Sequence, residues 1–214
     1  MLKTLNGHLN NVTSVDFSID GSMIVSGSWD RSIILWHTLS GKILKEFKDH
    51  SDWVRSVCFS MSGLMIASGS RDKTIKLWDV SCGKLLKTLE GHKDIVNSVQ
   101  FSNNDSMIVS GSKDLTIKLW DVITGKLLNT IQSKDWVNSV HFSYDGTKIV
   151  AGLWNKTVEL WDVSGKLLKT LTGHSGSLSS VCISRDGSKI ASGSGDTTIG
   201  LWVLTDSILL IKFF

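Results

Sequence analysis

The sequence contains no proline and only three cysteines in 214 residues. Without proline, its turns depend on glycine, aspartate, asparagine and serine. The cysteines, Cys58, Cys82 and Cys182, are odd in number and form no CxxC spacing. This usage argues against a disulfide framework and against a cysteine-ligated zinc site.

Long apolar runs are absent as well. The run at 208–211 is far shorter than the roughly 18 residues that a membrane-spanning helix needs, so no membrane association is expected. The first six residues lack the apolar segment of a secretory signal. We therefore expect a cytoplasmic protein, with the nucleus as the alternative.

Neither sign of charge dominates, because 23 basic and 20 acidic residues give a formal net charge of +3. This balance does not favour nucleic acid as a partner. Apolar residues make up 41% and charged residues 20% of the chain, which is typical of a soluble globular protein.

A repeat of about 40 residues runs through the chain. Five tryptophans, Trp36, Trp78, Trp120, Trp161 and Trp202, follow one another at intervals of 42, 42, 41 and 41 residues. A histidine lies 28 residues before each of them except Trp161, where Ser133 takes that place. Such a fixed period is typical of a repeat architecture.

Each repeat unit shows the pattern of four strands. Residues 96–101 and 116–120 alternate apolar and polar side chains, 107–109 are continuously apolar, and a fourth apolar segment at 83–89 follows the repeat tryptophan. Turn sequences such as Asp20-Gly21 and Asp145-Gly146 separate the strands. Four short antiparallel strands in about 40 residues predict one blade of a β-propeller.

The chain resembles the WD-repeat (WD40) β-propeller family over essentially its whole length. Gly-His pairs at 7–8, 91–92 and 173–174 and Trp-Asp pairs at 78–79, 120–121 and 161–162 carry the resemblance; residues 36–37, 49–50 and 202–203 depart from it. The expected fold is all-β, with five four-stranded antiparallel blades in one domain over 1–214. The expected repeats cover about 7–48, 49–90, 91–131, 132–172 and 173–214.

Four repeats carry a His, Ser, Asp and Trp set at matching positions. The sets are His8, Ser26, Asp30 and Trp36; His50, Ser68, Asp72 and Trp78; His92, Ser110, Asp114 and Trp120; and His174, Ser192, Asp196 and Trp202. The resemblance implies a hydrogen-bonded structural network in each blade. An active site needs one asymmetric constellation, so we expect no catalytic residues. No metal site or cofactor is expected either. Repeat four, with Ser133, Ala151, Asn155 and Trp161, is expected to lack the network and to form the softest blade.

Partner binding is expected on one side of the propeller, here called the top face. The resemblance implies that this face is formed by the loop before the first strand of each blade and by the turn before each repeat Asp. All four tryptophans outside the repeat position fall there, together with three cations. The predicted binding residues are Trp29, Trp53, Arg55, Arg71, Lys113, Trp136 and Trp154. Tryptophan and arginine dominate interface hot spots. The tryptophans could instead pack only against neighbouring loops.

The predicted function is a non-catalytic scaffold that binds proteins or peptides, with acidic or phosphorylated partners favoured over nucleic acid or a methylated cation. Two alternatives are a sensor segment of a larger signalling protein, for instance one with an NTPase, and an enzyme carried on a propeller.

The two ends of the chain bear on how the propeller closes. Residues 2–5 match 86–89 and predict an extra outer strand before blade 1, while residues 208–213 predict the outer strand of blade 5. Because family members mostly have seven blades, the chain could form an open arc, a fragment or a closed five-blade ring. Open ends could cause self-association.

Overall fold

Five antiparallel sheets, each of four strands in chain order, make up the computed structural model, which describes residues 3–204 and the backbone of 210–211. The strands are β1 (Val12–Phe17), β2 (Met23–Ser28), β3 (Ile33–His37), β4 (Ile43–Phe47), β5 (Val54–Phe59), β6 (Met65–Ser70), β7 (Ile75–Asp79), β8 (Leu85–Leu89), β9 (Val96–Phe101), β10 (Met107–Ser112), β11 (Thr116–Asp121), β12 (Leu127–Gln132), β13 (Val137–Phe142), β14 (Lys148–Leu153), β15 (Val158–Asp162), β16 (Leu167–Leu171), β17 (Leu178–Ile183), β18 (Lys189–Ser194), β19 (Ile199–Val203) and β20 (Leu210–Ile211). The predicted all-β fold of five four-stranded blades is confirmed.

Short polar turns connect the first two strands of each blade without proline. In blade 1, Gly21 has a φ of 70° and its N–H donates to the carbonyl of Ser18 at 2.8 Å. The carboxylate of Asp20 accepts from the Ser22 N–H at 3.0 Å and closes the turn. Asp105 takes the same left-handed conformation in blade 3, with a φ of 57°, as aspartate tolerates better than most residues.

The apolar core lies between the blades. The first strands pack in succession, β1 on β5, β5 on β9, β9 on β13 and β13 on β17, and one apolar cluster fills each of the four junctions. The cluster between blades 2 and 3 includes Ala67, Ile75 and Leu77 from one side and Val96, Val99, Phe101, Ile108 and Trp120 from the other. Each blade is therefore stabilised mainly by its neighbours.

The five blades form an open arc. No comparable packing joins β17 to β1 within the residues that the structure describes. Val15 and Phe17 on β1 are 65% and 58% exposed, whereas the matching Val57 and Phe59 on β5 are 3% and 7% exposed. This difference excludes the closed five-blade ring and leaves an apolar face open on blade 1.

The extra strand expected at the N-terminus is not formed, so that expectation was wrong for residues 3–5; residue 2 lies outside the described part. A strand needs a partner edge, and the outer edge of blade 5 is paired with β20. The segment instead lies against blade 1, where Lys3 Nζ donates to the Leu39 carbonyl at 2.8 Å. The strand expected at 208–213 is described only at 210–211. No helix found in the described part has the length and apolar character required to cross a bilayer.

Candidate functional site

The four His, Ser, Asp and Trp sets each come together in one hydrogen-bonded network. The His Nδ1 atoms lie 2.9, 2.7, 2.8 and 2.9 Å from the Asp Oδ2 atoms in blades 1, 2, 3 and 5. The His Nε2 atoms lie 2.7, 2.7, 2.7 and 2.8 Å from the Ser Oγ atoms. The Trp Nε1–H donates to the same Ser Oγ at 2.7, 2.9, 2.8 and 2.9 Å.

Blade 3 shows how the protons are arranged. A carboxylate can only accept, so the Nδ1–H of His92 donates to Asp114. The Nε2 of His92 then accepts from Ser110, whose oxygen accepts from Trp120. Burial lowers the pKa of His92, against the opposing effect of Asp114, and this favours the neutral ring that the arrangement requires. Every member is satisfied, which a buried polar network needs in order to be stable.

The network Asp also fixes the top-face loops. The carboxylate of Asp114 accepts the Lys93 N–H at 2.8 Å and the N–H and hydroxyl of Thr116 at 2.9 and 2.6 Å. Burial raises the pKa of Asp114, but the hydrogen bonds from His92, Thr116 and Lys93 outweigh this effect and lower the pKa overall. The carboxylate therefore joins the turn after β10 to the loop before β9.

Blade 4 contains a different network. Ser133, Ala151 and Asn155 occupy the His, Ser and Asp positions, and the fully buried Glu159 supplies the acceptor. Its Oε2 accepts from the Ser133 hydroxyl at 2.8 Å and from Trp161 Nε1–H at 3.1 Å. Blade 4 therefore lacks the His, Ser, Asp and Trp network, as expected, but the acceptor role of Glu159 was not predicted. Glu159 lies two residues before Trp161 and therefore on the same face of β15.

Replacing Glu159 by alanine should lower the free energy of unfolding by about 1–3 kcal/mol, because the Trp161 N–H and the Ser133 hydroxyl lose their acceptor in a buried site. Urea titration followed by tryptophan fluorescence would measure the loss. The matched control is Glu159→Gln, which keeps an acceptor oxygen and should lose less. Equal losses in the two variants would contradict this role of the side-chain oxygen.

The top-face side chains are placed by backbone hydrogen bonds between two loops of one blade. The N–H of Arg71 donates to the Trp53 carbonyl at 2.8 Å, and the N–H of Trp154 donates to the Trp136 carbonyl at 2.9 Å. The guanidinium of Arg71 consequently lies 4.6 Å from the ring centroid of Trp53. The rings of Trp136 and Trp154 lie 5.3 Å apart, tilted by 46°.

These side chains surround a cleft of about 340 Å³ across blades 2, 3 and 4. Its lining residues are Trp53, Arg55, Arg71, Ile95, Asn97, Lys113, Trp136, Asn138 and Trp154. Six of the seven predicted binding residues therefore meet at one place. We did not select Ile95, Asn97 and Asn138 from the sequence, although they hold the equivalent top-face positions.

Trp29 does not line the cleft but supports its edge. Its ring stacks on Trp53 with centroids 4.3 Å apart and planes 14° from parallel. Its buried Nε1 has no hydrogen-bond partner among the described residues. The alternative that the tryptophans only pack against neighbouring loops therefore describes Trp29 best, whereas Trp154 is 51% exposed.

Positive charge dominates the cleft. Lys113 Nζ lies 3.9 Å from the ring centroid of Trp136, and Arg71 Nε lies 3.6 Å from an oxygen of Asp52. Within the described part of the chain, neither Arg55 nor Lys113 forms an ion pair. Burial lowers the pKa of the half-buried Arg55, and the charge of Arg71 lowers it further. An anion bound beside Arg55 would offset the free-energy cost of burying its charge next to Arg71.

A second cavity, of about 540 Å³, runs between the first strands of all five blades. Its polar side chains are used in holding the blades together: Asp16 accepts the Phe59 N–H at 2.9 Å, and Gln100 accepts the Phe142 N–H at 2.6 Å. Burial raises the pKa of the Cys58 thiol to about 12, which leaves it a poor nucleophile. Among residues 3–204 no group of three or more His, Cys, Asp or Glu is placed to hold a metal.

Comparison with known families matches the model for "WD domain, G-beta repeat" to five segments, residues 1–37, 41–79, 83–121, 125–162 and 165–203. The chain belongs to the WD40-repeat family. This WD40 chain is 49% identical over 41 residues to Ribosome assembly protein 4 of Chaetomium thermophilum, a match of 19% of this chain and 8% of that protein. It is 42% identical over 40 residues to the Periodic tryptophan protein 2 homolog of Schizosaccharomyces pombe, a match of 19% of this chain and 5% of that protein. Each match spans less than a tenth of the relative.

Proposed function

We propose that this WD40 chain is a non-catalytic interaction scaffold whose top-face cleft binds an acidic or phosphorylated segment of a partner protein. The observation that carries the proposal is Arg55, a half-buried cation without an ion pair among the described residues. It lies in a cleft that also contains Arg71 and Lys113. Tryptophan rings supply apolar contact area around these charges, a combination typical of interface hot spots.

The same geometry disfavours a methylated cation as the ligand. Recognition of a cation requires a free aromatic face, but Arg71 already lies over Trp53 and Lys113 over Trp136. A cationic ligand would also meet three like charges. Nucleic acid is disfavoured because a net charge of +3 provides little of the phosphate neutralisation that dominates its binding.

Scaffolding also agrees with the remaining features of the chain. The four polar networks are repeated and structural in their contacts, and Asp16 and Gln100 in the cavity between the first strands hydrogen-bond to the backbone of the next blade. One relative is named a ribosome assembly protein, a name that fits a role in a macromolecular assembly. Such a role would suit the nucleus as well as the cytoplasm expected from the sequence.

The test uses a peptide array in which each acidic or phosphorylated peptide is paired with a neutral twin of otherwise identical sequence. In the neutral twin, Gln, Asn or Ser replaces Glu, Asp or phosphoserine. The wild-type chain should bind the charged members preferentially, and Arg55→Ala should weaken binding by about 1–2 kcal/mol. Added salt should weaken wild-type binding more than that of Arg55→Ala. Titration of selected peptides against tryptophan fluorescence would give the affinities.

Lys84→Ala is the matched control. Lys84 is exposed directly before β8, the fourth strand of blade 2, and does not line the cleft. Its affinities should equal those of the wild type. Equal binding of charged peptides and their neutral twins would contradict the acidic ligand. If Arg55→Ala binds as the wild type does and Lys84→Ala loses binding, the site lies beside the fourth strands of the blades and not in the cleft.

A further inference from the structure

Each junction between blades is built around a glycine that receives branched side chains of the next blade. A Cβ at Gly69 would lie 2.8 Å from Val96 Cγ1 and 2.9 Å from Val99 Cγ1. Gly27 and Gly111 are filled in the same way, at 2.7 and 2.9 Å and at 2.5 and 2.8 Å. At the fourth junction a Cβ on Gly152 would lie 2.7 Å from Val181 Cγ1. Only glycine leaves room for such contacts.

At the two ends of the arc, one glycine of this series receives no valine, and one pair of valines packs against no glycine. Among the residues that the structure describes, a Cβ on Gly193 of blade 5 would meet only Ser179 Oγ, at 3.6 Å. At the other end of the arc, Val12 and Val15 of blade 1 are 52% and 65% exposed. They border a cleft of about 270 Å³ that also includes Ile24 and Trp36.

The two free faces together repeat the residues of the junction between blades 2 and 3. Blade 5 presents Ala191, Gly193, Ile199 and Leu201 where blade 2 presents Ala67, Gly69, Ile75 and Leu77. Blade 1 presents Val12, Val15, Phe17, Ile24 and Trp36 where blade 3 presents Val96, Val99, Phe101, Ile108 and Trp120. Ile199 is 69% exposed, while Ile75 is fully buried. These nine residues are identical to their counterparts in the formed junction, whereas Met65 and Val122 of that junction correspond to Lys189 and Thr38 at the free faces.

Polar groups follow the same series. The hydroxyls of Ser14, Ser56, Ser98 and Ser139 accept the N–H of the valine in the next blade, at 3.1, 3.2, 3.1 and 3.1 Å. The next members of the series are Ser180, which is exposed on blade 5, and the N–H of Val15 on blade 1. The two free faces therefore carry the next hydroxyl and the next valine N–H of this series as well as the apolar residues of a junction.

We propose that the free face of blade 5 binds the free face of blade 1 in a second copy of this chain. The occupant is a second copy because this pair of faces repeats the residues of a junction that the chain already forms, while among the described residues the two faces do not pack on each other within one chain. The contact is head to tail, so each copy keeps one free face and assembly continues until a ring closes or a filament forms. Burial of Val12, Val15, Phe17 and Ile199 supplies the driving force.

Two variants, each disabling one face, test this proposal. Gly193→Val fills the open glycine position, and Val15→Asp places a charge on the opposite face; both sites are open in the isolated chain, so the fold should persist. Light scattering across a concentration series should show wild-type oligomers and monomers for each variant. An equimolar mixture of the two variants should form a 1:1 dimer, since each retains the face that the other lacks.

The control is Ile123→Asp, an apolar-to-acid change at a residue that is 80% exposed and far in sequence from either free face. It should associate as the wild type does. Circular dichroism would show that each variant is folded. A wild-type chain that stays a compact monomer overturns the proposal. So does a mixture that stays monomeric, or a pair of variants that associate as strongly as the wild type.

Discussion

Replacing Asp114 by alanine is expected to lower the free energy of unfolding by about 2–5 kcal/mol. The carboxylate accepts from His92 Nδ1–H, from the Lys93 N–H and twice from Thr116. The His92 and Asp114 side chains are only 1% and 6% exposed, so water cannot replace the lost acceptor at the histidine. The turn after β10 would also lose its link to the loop before β9. Denaturant titration would measure the loss.

Asn155→Ala is the matched control, because Asn155 holds the same repeat position in blade 4. Its Oδ1 accepts only from the N–H and hydroxyl of Thr157, at 3.2 and 2.6 Å, among the described residues. No histidine depends on it, so the expected loss is about 0.5–1.5 kcal/mol. Losses of the same size at Asp114 and Asn155 would show that the histidine contact contributes little.

Acid offers a further check on the same network. The folded-state pKa of Asp114 lies below its ordinary value of 3.8, so the carboxylate contributes stability above that pH, and this is lost as the pH falls through the folded-state pKa. The folded-state pKa of His92 lies below 6.5, so folding opposes its protonation and stability also falls as the pH drops below about 6.5. Asp114→Ala should lose less stability on acidification below pH 4 than the wild type does.

The repeat period was sufficient to predict the fold because the spacing of the tryptophans fixes the blade length. Apolar alternation then identified the strands. What the period could not predict is Glu159, since it differs from the Ile34, Lys76, Lys118 and Gly200 found at that position in the other blades. A buried acid two residues before the repeat tryptophan was the available signal. Glu159 lies outside the His, Ser, Asp and Trp positions of the repeat, so these positions alone do not indicate its role.

The cleft was predictable in composition but not in geometry. Repeat positions placed Trp53, Arg71, Lys113 and Trp136 on one face. Which cation lies over which ring depends on loop backbone hydrogen bonds and on how neighbouring blades are juxtaposed, and Lys113 reaches Trp136 across a blade boundary. Sequence spacing carries no information on these distances. The absence of an ion pair at Arg55 among the described residues could likewise be recognised only in three dimensions.

Two equivalent glycines should respond to alanine with opposite signs. A Cβ at Gly111 would lie 2.5 Å from Val137 Cγ1 and 2.8 Å from Val140 Cγ1. Both valines are buried between blades 3 and 4, so they have little room to move. Gly111→Ala should therefore lower the free energy of unfolding by about 1–3 kcal/mol, the usual range for an overpacked core, even though alanine is intrinsically better than glycine in a strand.

At Gly193 the same substitution meets open space, since Ser179 Oγ at 3.6 Å is an ordinary contact. The remaining effect is the intrinsic preference of a strand for alanine over glycine. Gly193→Ala should therefore raise the free energy of unfolding by up to about 0.5–1 kcal/mol. Thermal unfolding should be followed at a protein concentration below the onset of association, because the added methyl group would also occupy the face proposed to bind a second copy. The two glycines share strand position and neighbouring sequence, so the opposite signs would arise from the presence of a following blade at Gly111 alone. Destabilisation by Gly193→Ala equal to that by Gly111→Ala would mean that the face of blade 5 is already covered in the isolated chain.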